Sequence, residues 1–183
     1  TRAETMRLFA LVADESDLRR PPAPGFRPIL WHRGHIGAYE DYWLLQQSRG
    51  DTASSAEFQR IFDPINLRPT MRETAALKTG PLDEIDAYLD EVRARSLAWL
   101  AEPGGAADTA TFELVLEHEL QHQETLLYLL HLLDPSLKRR PDGHVERSRP
   151  DLAATNGRVR VPAGSFVMGA GAGGFGYNNE LPA

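Results

Sequence analysis

Four of the six histidines fall in two close pairs, His32 with His35 and His118 with His122. His118 and His122 are four residues apart, so on a helix they leave the same face one turn apart, and both imidazoles can reach one metal ion. Val115, Leu126 and Leu129 continue that face, which sets the pair against a core rather than in water. Imidazoles buried among leucines need partners, and a metal ion supplies one; the plainer alternative is a pair of core histidines bonded to neighbouring side chains. The other pair lies in Trp31-His32-Arg33-Gly34-His35-Ile36-Gly37. Glycine inside a helix costs roughly 1 kcal/mol against alanine, and two of them flanking His35 point to a close helix approach or to room for a ligand. One of His32 and His35 would complete the metal site, and their spacing does not choose which. The other would then be a hydrogen-bonded neighbour. Three neutral imidazoles suit zinc, iron(II), cobalt and nickel alike. Three protein ligands leave positions open for substrate, which marks a catalytic site rather than a closed structural one. His131 points elsewhere on the same helix, and His144 falls in a polar stretch.

The rest of the composition narrows the chemistry. There are no cysteines, which excludes disulfides, thiolate ligands and a cysteine nucleophile. The 183 residues suffice for one domain, or for one domain and the start of another. A net charge of −6 argues against a nucleic-acid partner. The basic run Lys138-Arg139-Arg140 reads as a solvated loop. No stretch approaches the ~20 apolar residues of a membrane span, and no signal peptide is visible, so a cytoplasmic enzyme is expected. Thr1 already falls within a helical pattern, which places the expected natural start upstream.

These residues need helices to position them. Met6, Phe9, Ala10 and Ala13 predict a helix over 1–18, broken by the proline-rich run at 21–25. A second, aromatic-rich helix is predicted from Ile29 to Gln47, and a short one at 55–61. Gly80-Pro81 opens a third long helix with an apolar stripe of Leu82, Ile85, Leu89, Val92 and Leu97. Asp108 or Thr109 can cap a fourth that runs to about Leu133 and ends at Asp134-Pro135. The fold class is therefore mainly α: an antiparallel four-helix bundle over 1–134, with the long connection at 48–80 acting as a lid or crossover. Residues 135–157 are polar and read as a linker. In 158–183, Arg158-Val159-Arg160-Val161-Pro162-Ala163-Gly164-Ser165-Phe166-Val167-Met168-Gly169 predicts two short strands and a turn. A strand pair of that size is not stable alone, so a second domain is expected to follow.

Three motifs in order carry a family resemblance. They are Trp31-His32-x-Gly34-His35-Ile36, then His118-Glu119-Leu120-Gln121-His122-Gln123-Glu124, then Val161-Pro162-Ala163-Gly164-x-Phe166-x-Met168-Gly169 with Phe175-Gly176-Tyr177-Asn178-Asn179-Glu180. Together they resemble the sulfoxide synthases of ergothioneine biosynthesis, in which a DinB-like four-helix bundle precedes a formylglycine-generating-enzyme-like α+β domain. The resemblance implies that iron(II) is held by His35, His118 and His122, with His32 as the neighbour. It places Gln121 against the imidazole of hercynine, a trimethylated histidine betaine, and matches Arg68 and Arg72 to arginines that bind the carboxylates of the thiol substrate. The implied reaction uses O2 to join a cysteine-type thiol (cysteine, γ-glutamylcysteine or a selenium analogue) to the imidazole carbon while forming a sulfoxide. The resemblance also implies that the catalytic acid is a tyrosine of the second domain, beyond Ala183. Selenoneine and ovothiol synthases are close relatives, and no residue here separates them.

Three other readings fit parts of the pattern. His118-Glu119-x-x-His122 matches the zinc-protease motif, in which the glutamate is the general base. The extended form of that motif needs glycine at 125 and histidine at 128, where this chain has Thr125 and Tyr128. DinB-like bundles with three histidines also resemble thiol-dependent transferases, but the Val-Pro-Ala-Gly-x-Phe segment argues against a bundle that stands alone. A helical interaction module without catalysis is the third.

Overall fold

The computed structural model describes residues 1–63, 78–105, 109–140, 158–169, 171, 176–177 and 180. They fall in two units, Thr1–Arg140 and Pro141–Ala183. The N-terminal stretch expected as one helix forms two, α1 (Arg2–Phe9) and α2 (Glu15–Leu18). The break has a tertiary cause. Ala13 N–H donates to the Leu137 carbonyl and Arg139 N–H to the Leu11 carbonyl, both at 2.9 Å, and Val12 pairs with Lys138 in an antiparallel bridge. Backbone groups used in this way are lost to a helical ladder. The buried face of α1 is Thr5, Leu8 and Phe9, while Ala10 and Ala13 of the expected stripe are exposed.

Helix α3 (Ile29–Glu40) packs against α4 (Ala56–Phe62), α5 (Leu82–Ala101) and α6 (Thr109–Leu132), and α1 packs on α6. The glycines of α3 mark those approaches. A Cβ on Gly34 would collide with the Phe62 ring, and one on Gly37 would lie 3.1 Å from Leu89. The core between these helices is built from Ile29, Leu30, Trp31, Phe62, Ile85, Leu89, Val92 and Leu126, with Phe9 from α1. Of the stripe expected on α5, Leu97 is 56% exposed. It lies five residues past Val92, off the buried face, and Ser96 takes the core position instead.

The second predicted helix does not stay α-helical to Gln47. Beyond Glu40 it widens into a π-helical segment, Asp41–Ser48. Apolar spacing carries no signature of that change. The segment begins at Asp41, a fully buried carboxylate that accepts from Ser54 N–H (2.9 Å), Ser54 Oγ (3.1 Å) and Tyr88 OH (3.2 Å). With Gln59 Nε2, which donates to the same carboxylate at 3.4 Å, four donors from Ser54, Gln59 and Tyr88 hold the point at which α3 changes pitch. α4 follows the expected short helix, and Ser55 caps it by accepting from Phe58 N–H at 3.2 Å.

Residues 135–140 are held on the first unit. Pro135–Leu137 makes a 3-10 turn, Lys138 Nζ donates to the Leu130 carbonyl and Arg139 Nε to the Ala10 carbonyl. In the second unit no strand forms among the described residues. Val159, Val161, Phe166, Val167 and Met168 are exposed there. No helix among the described residues is long and apolar enough to cross a membrane.

The contact at Gly34 generates a test. Alanine there gains about 1 kcal/mol of helix propensity, but overpacking against Phe62 costs about 1–3 kcal/mol. Gly34→Ala is expected to destabilise the chain by about 1 kcal/mol net in chemical denaturation, against the sign that helix propensity alone gives.

Candidate metal centre

Two helices supply the histidines. α3 carries His32 and His35 on its buried face, and α6 carries His118 and His122, with Val115, Leu126 and Leu129 buried along the same side as expected. One ring nitrogen from each of His35, His118 and His122 lies within 4.8 Å of the other two. His35 Nε2 and His118 Nε2 are 3.2 Å apart. Two nitrogens bound at ~2.1 Å to one metal would stand about 3.0–3.4 Å apart, so this pair already has the separation a shared ion requires.

The proton positions agree with that use. His35 Nδ1 lies 2.6 Å from the Phe62 carbonyl. A carbonyl only accepts, so the proton is on Nδ1 and Nε2 presents its lone pair to the site. The Phe62 backbone is brought there by the close packing that Gly34 permits. His32 Nδ1 faces His122 Nδ1 at 3.1 Å, which leaves His122 Nε2 for the centre. Flat aromatic rings fix two of these histidines: Trp31 stacks on His35 at 4.4 Å and Tyr39 on His118 at 3.5 Å between centroids. The Arg27 guanidinium in turn covers the Trp31 ring at 4.0 Å.

Electrostatics keep the site neutral. Burial, aided by the neighbouring His122 and His118, holds His35 well below the ordinary 6.5, against the pull of the Phe62 carbonyl. Burial with the His122 and His32 rings takes His118 down to about 2. Burial takes His122 to about 4, with Glu119 opposing the shift. Burial, then His122 and Arg27, take His32 to about 3. Neutral imidazole is the form that binds a metal, so these residues fit a divalent ion bound by nitrogen.

Glu119, the neighbour of His118, is committed elsewhere. It is 2% exposed, and its carboxylate accepts from Thr5 Oγ1 at 2.8 Å, Arg2 Nε at 3.0 Å and Arg93 at 2.9 Å. Burial pushes its pKa up, but Arg2, Thr5 and Arg93 more than offset this and hold it below the ordinary carboxylate value. A carboxylate paired in this way on both oxygens is a poor general base, which removes the support for a protease reading.

Of the other residues singled out in the sequence, Gln121 is exposed on α6 between His118 and His122, and His131 is exposed further along it. Arg68, Arg72 and His144 lie outside the described residues. Trp31, Tyr39 and the Phe62 carbonyl were missed by the sequence reading. The two rings were open to it, because each is four residues from His35 and so shares its face. The carbonyl was not.

Acid should expose the cost of this burial. Each of His32, His35, His118 and His122 has a folded pKa below its unfolded value of 6.5, so the unfolded chain binds more protons. The stabilising difference is complete above about pH 6.5 and is lost as pH falls towards the folded pKa values. The metal-free chain is expected to lose thermal stability between pH 6.5 and about 4, followed by circular dichroism. A flat melting temperature across that window would contradict the neutral cluster.

Comparison with known proteins covers the helical unit. A family model described as the DinB superfamily matches residues 1–133. A protein named hercynine oxygenase from Mycolicibacterium smegmatis is 32% identical over 173 residues, covering 93% of this chain and 39% of the relative. One of the same name from Mycolicibacterium thermoresistibile is 30% identical over 186 residues, covering all of this chain and 40% of the relative. A third, from Mycobacterium tuberculosis, is 30% identical over 135 residues, 72% of this chain and 30% of the relative. The chain thus spans at most two-fifths of the length of these relatives. With a matching model over nearly the whole helical unit, the chain belongs to the DinB superfamily.

Proposed function

We propose that this chain forms the metal-bearing part of an iron(II)-dependent, O2-consuming sulfoxide synthase that acts on a hercynine-like betaine and a cysteine-type thiol or its selenium analogue. The observation that carries the reading is the convergence of three buried, neutral imidazoles, His35, His118 and His122, with nitrogens within 4.8 Å of one another. The three relatives named hercynine oxygenase support the betaine as substrate and an oxygenase as the class. Segment 158–183 is assigned on its motifs to the start of a formylglycine-generating-enzyme-like domain.

Iron(II) at this site would supply open positions for the thiol sulfur and for O2. Forming the C–S bond and oxidising sulfur to the sulfoxide are two two-electron oxidations. They match the four electrons accepted by O2 as one oxygen atom enters product and the other leaves as water.

The chain's own residues have distinct parts in this reading. His35, His118 and His122 hold the ion. The Phe62 carbonyl keeps the His35 proton on Nδ1, so that Nε2 faces inward. Trp31 and Tyr39 pin two ligand rings by stacking, and their apolar faces limit water around those imidazoles. Gln121, exposed between the ligand positions on α6, is assigned to the betaine imidazole. Arg68 and Arg72 are assigned to the thiol substrate's carboxylates.

Metal content and spectroscopy of anaerobically purified protein test this directly. The expected result is about one iron per chain, with an iron–nitrosyl spectrum perturbed by added hercynine and by cysteine or γ-glutamylcysteine. Tightly held zinc and no response to either ligand would sink the reading. His122→Ala is expected to weaken iron binding more than about 100-fold, beyond what loss of an outer hydrogen bond does. His131→Ala, at an exposed position, is expected to leave it intact. Equal loss from both, or loss from neither, would remove the ligand assignment.

A further inference from the structure

The fourth buried histidine, His32, is left over by the three-ligand site. It is 7% exposed, one helical turn before His35, and its Nδ1 lies 3.1 Å from Nδ1 of His122. A neutral imidazole that gives one nitrogen to a metal carries its proton on the other. If His122 binds through Nε2, its Nδ1 is the donor, and the atom that faces it must offer a lone pair. His32 Nδ1 is that atom.

We propose that His32 is a positioning residue: it accepts the His122 Nδ1 proton and thereby fixes the tautomer and ring angle of that ligand. The proposal rests on the metal-site reading above. In metal sites this task usually falls to a carboxylate, a backbone carbonyl or water. Here His35 uses the Phe62 carbonyl, whereas His122 lies on a different helix and uses a ring instead. The acceptor itself is held in place. His32 meets the edge of Trp31 at 5.3 Å between centroids, and Trp31 Nε1 donates to the Ile61 carbonyl at 3.2 Å. One stretch of chain, Ile61 and Phe62 at the end of α4, thus anchors His35 directly and His32 through Trp31. His32 then carries its own proton on Nε2, and the two outer acceptors, the Phe62 carbonyl and His32, are both uncharged groups rather than carboxylates.

The test compares three variants by anaerobic iron(II) affinity against a competing chelator, with the melting temperature of the metal-free chain as a check on folding. His32→Phe fills the space without an acceptor and is expected to bind iron about 10–100-fold more weakly. His32→Asn places an amide oxygen close to where Nδ1 was and is expected to restore affinity to within roughly threefold, since it restores the outer hydrogen bond. If the phenylalanine variant loses its fold, His32→Leu removes the acceptor without added volume and carries the same expectation. The iron–nitrosyl spectrum should change with Phe or Leu and return with Asn. Wild-type affinity in the Phe or Leu variant would overturn the role of His32 alone. So would an asparagine variant as weak as the apolar ones, which would make His32 a ligand or a shape element. A wild-type chain that binds no iron would overturn the metal-site reading and this inference with it.

Discussion

Four imidazoles buried within two helices are the constraint around which this protein is built. A neutral histidine has one donor and one acceptor, and neither can be left unpaired away from water without a cost of about 1–3 kcal/mol. The Phe62 carbonyl takes the His35 proton, and the facing Nδ1 atoms of His32 and His122 satisfy each other. What remains among the described residues is a set of inward nitrogens that face one another, His35 Nε2 and His118 Nε2 at 3.2 Å. That is the arrangement in which a metal ion completes the hydrogen-bonding inventory as well as the chemistry. The helix approach that makes it possible is set by Gly34, where the absence of a side chain lets Phe62 lie directly on α3.

On another side of the same helices the problem is charge rather than protons. Glu40 at the end of α3 and Glu119 on α6 are both 2% exposed. Arg2 contacts both at 3.0 Å and Arg93 contacts both at 2.9 Å. Two anions and two cations make a balanced set, which keeps a buried cluster tolerable where a single unpaired charge would not be. Removing one partner from such a set typically costs about 3–5 kcal/mol when fully buried, less where an arginine is partly in water. The geometric result matters more here than the energy. Glu40 and Glu119 share two forked cations, so α3 and α6 are held in one register, and His35 is thereby held opposite His118.

Much of this was legible in the sequence because helix periodicity is a local property. The i, i+4 spacing of His118 and His122, with Val115, Leu126 and Leu129 on one side, was enough to place them in the core. The glycines around His35 announced a close approach. Whether His32 or His35 completes the site was not a local matter, since both lie on the buried face; the family motifs point to His35, and it is a His35 ring nitrogen that lies within 4.8 Å of one each from His118 and His122. The break between α1 and α2 was hidden because it depends on pairing with residues 137–139, more than a hundred positions away. The π-helical segment after Glu40 was hidden for the same reason: Ser54, Gln59 and Tyr88 supply the donors that Asp41 accepts. Leu97 was misplaced by extending a stripe five residues instead of three or four.

The glutamate of His118-Glu119-x-x-His122 shows why a motif has to be read in its packing. In a zinc protease that residue must reach a metal-bound water with a free carboxylate. Successive residues on an α-helix are turned by about 100°, so Glu119 leaves α6 at a wide angle to His118. Here that direction leads to α1 and α5, where Thr5, Arg2 and Arg93 consume both oxygens. The same five letters therefore serve two ends: the histidines face the centre, and the glutamate secures the helix that carries them. A general base can be spared from this site because the chemistry proposed for it begins with a thiol, whose proton is far easier to remove than that of water. The charge on Glu119 serves the architecture, and the histidine beside the proposed ligands, His32, is the one placed against His122 where it would tune a bound metal.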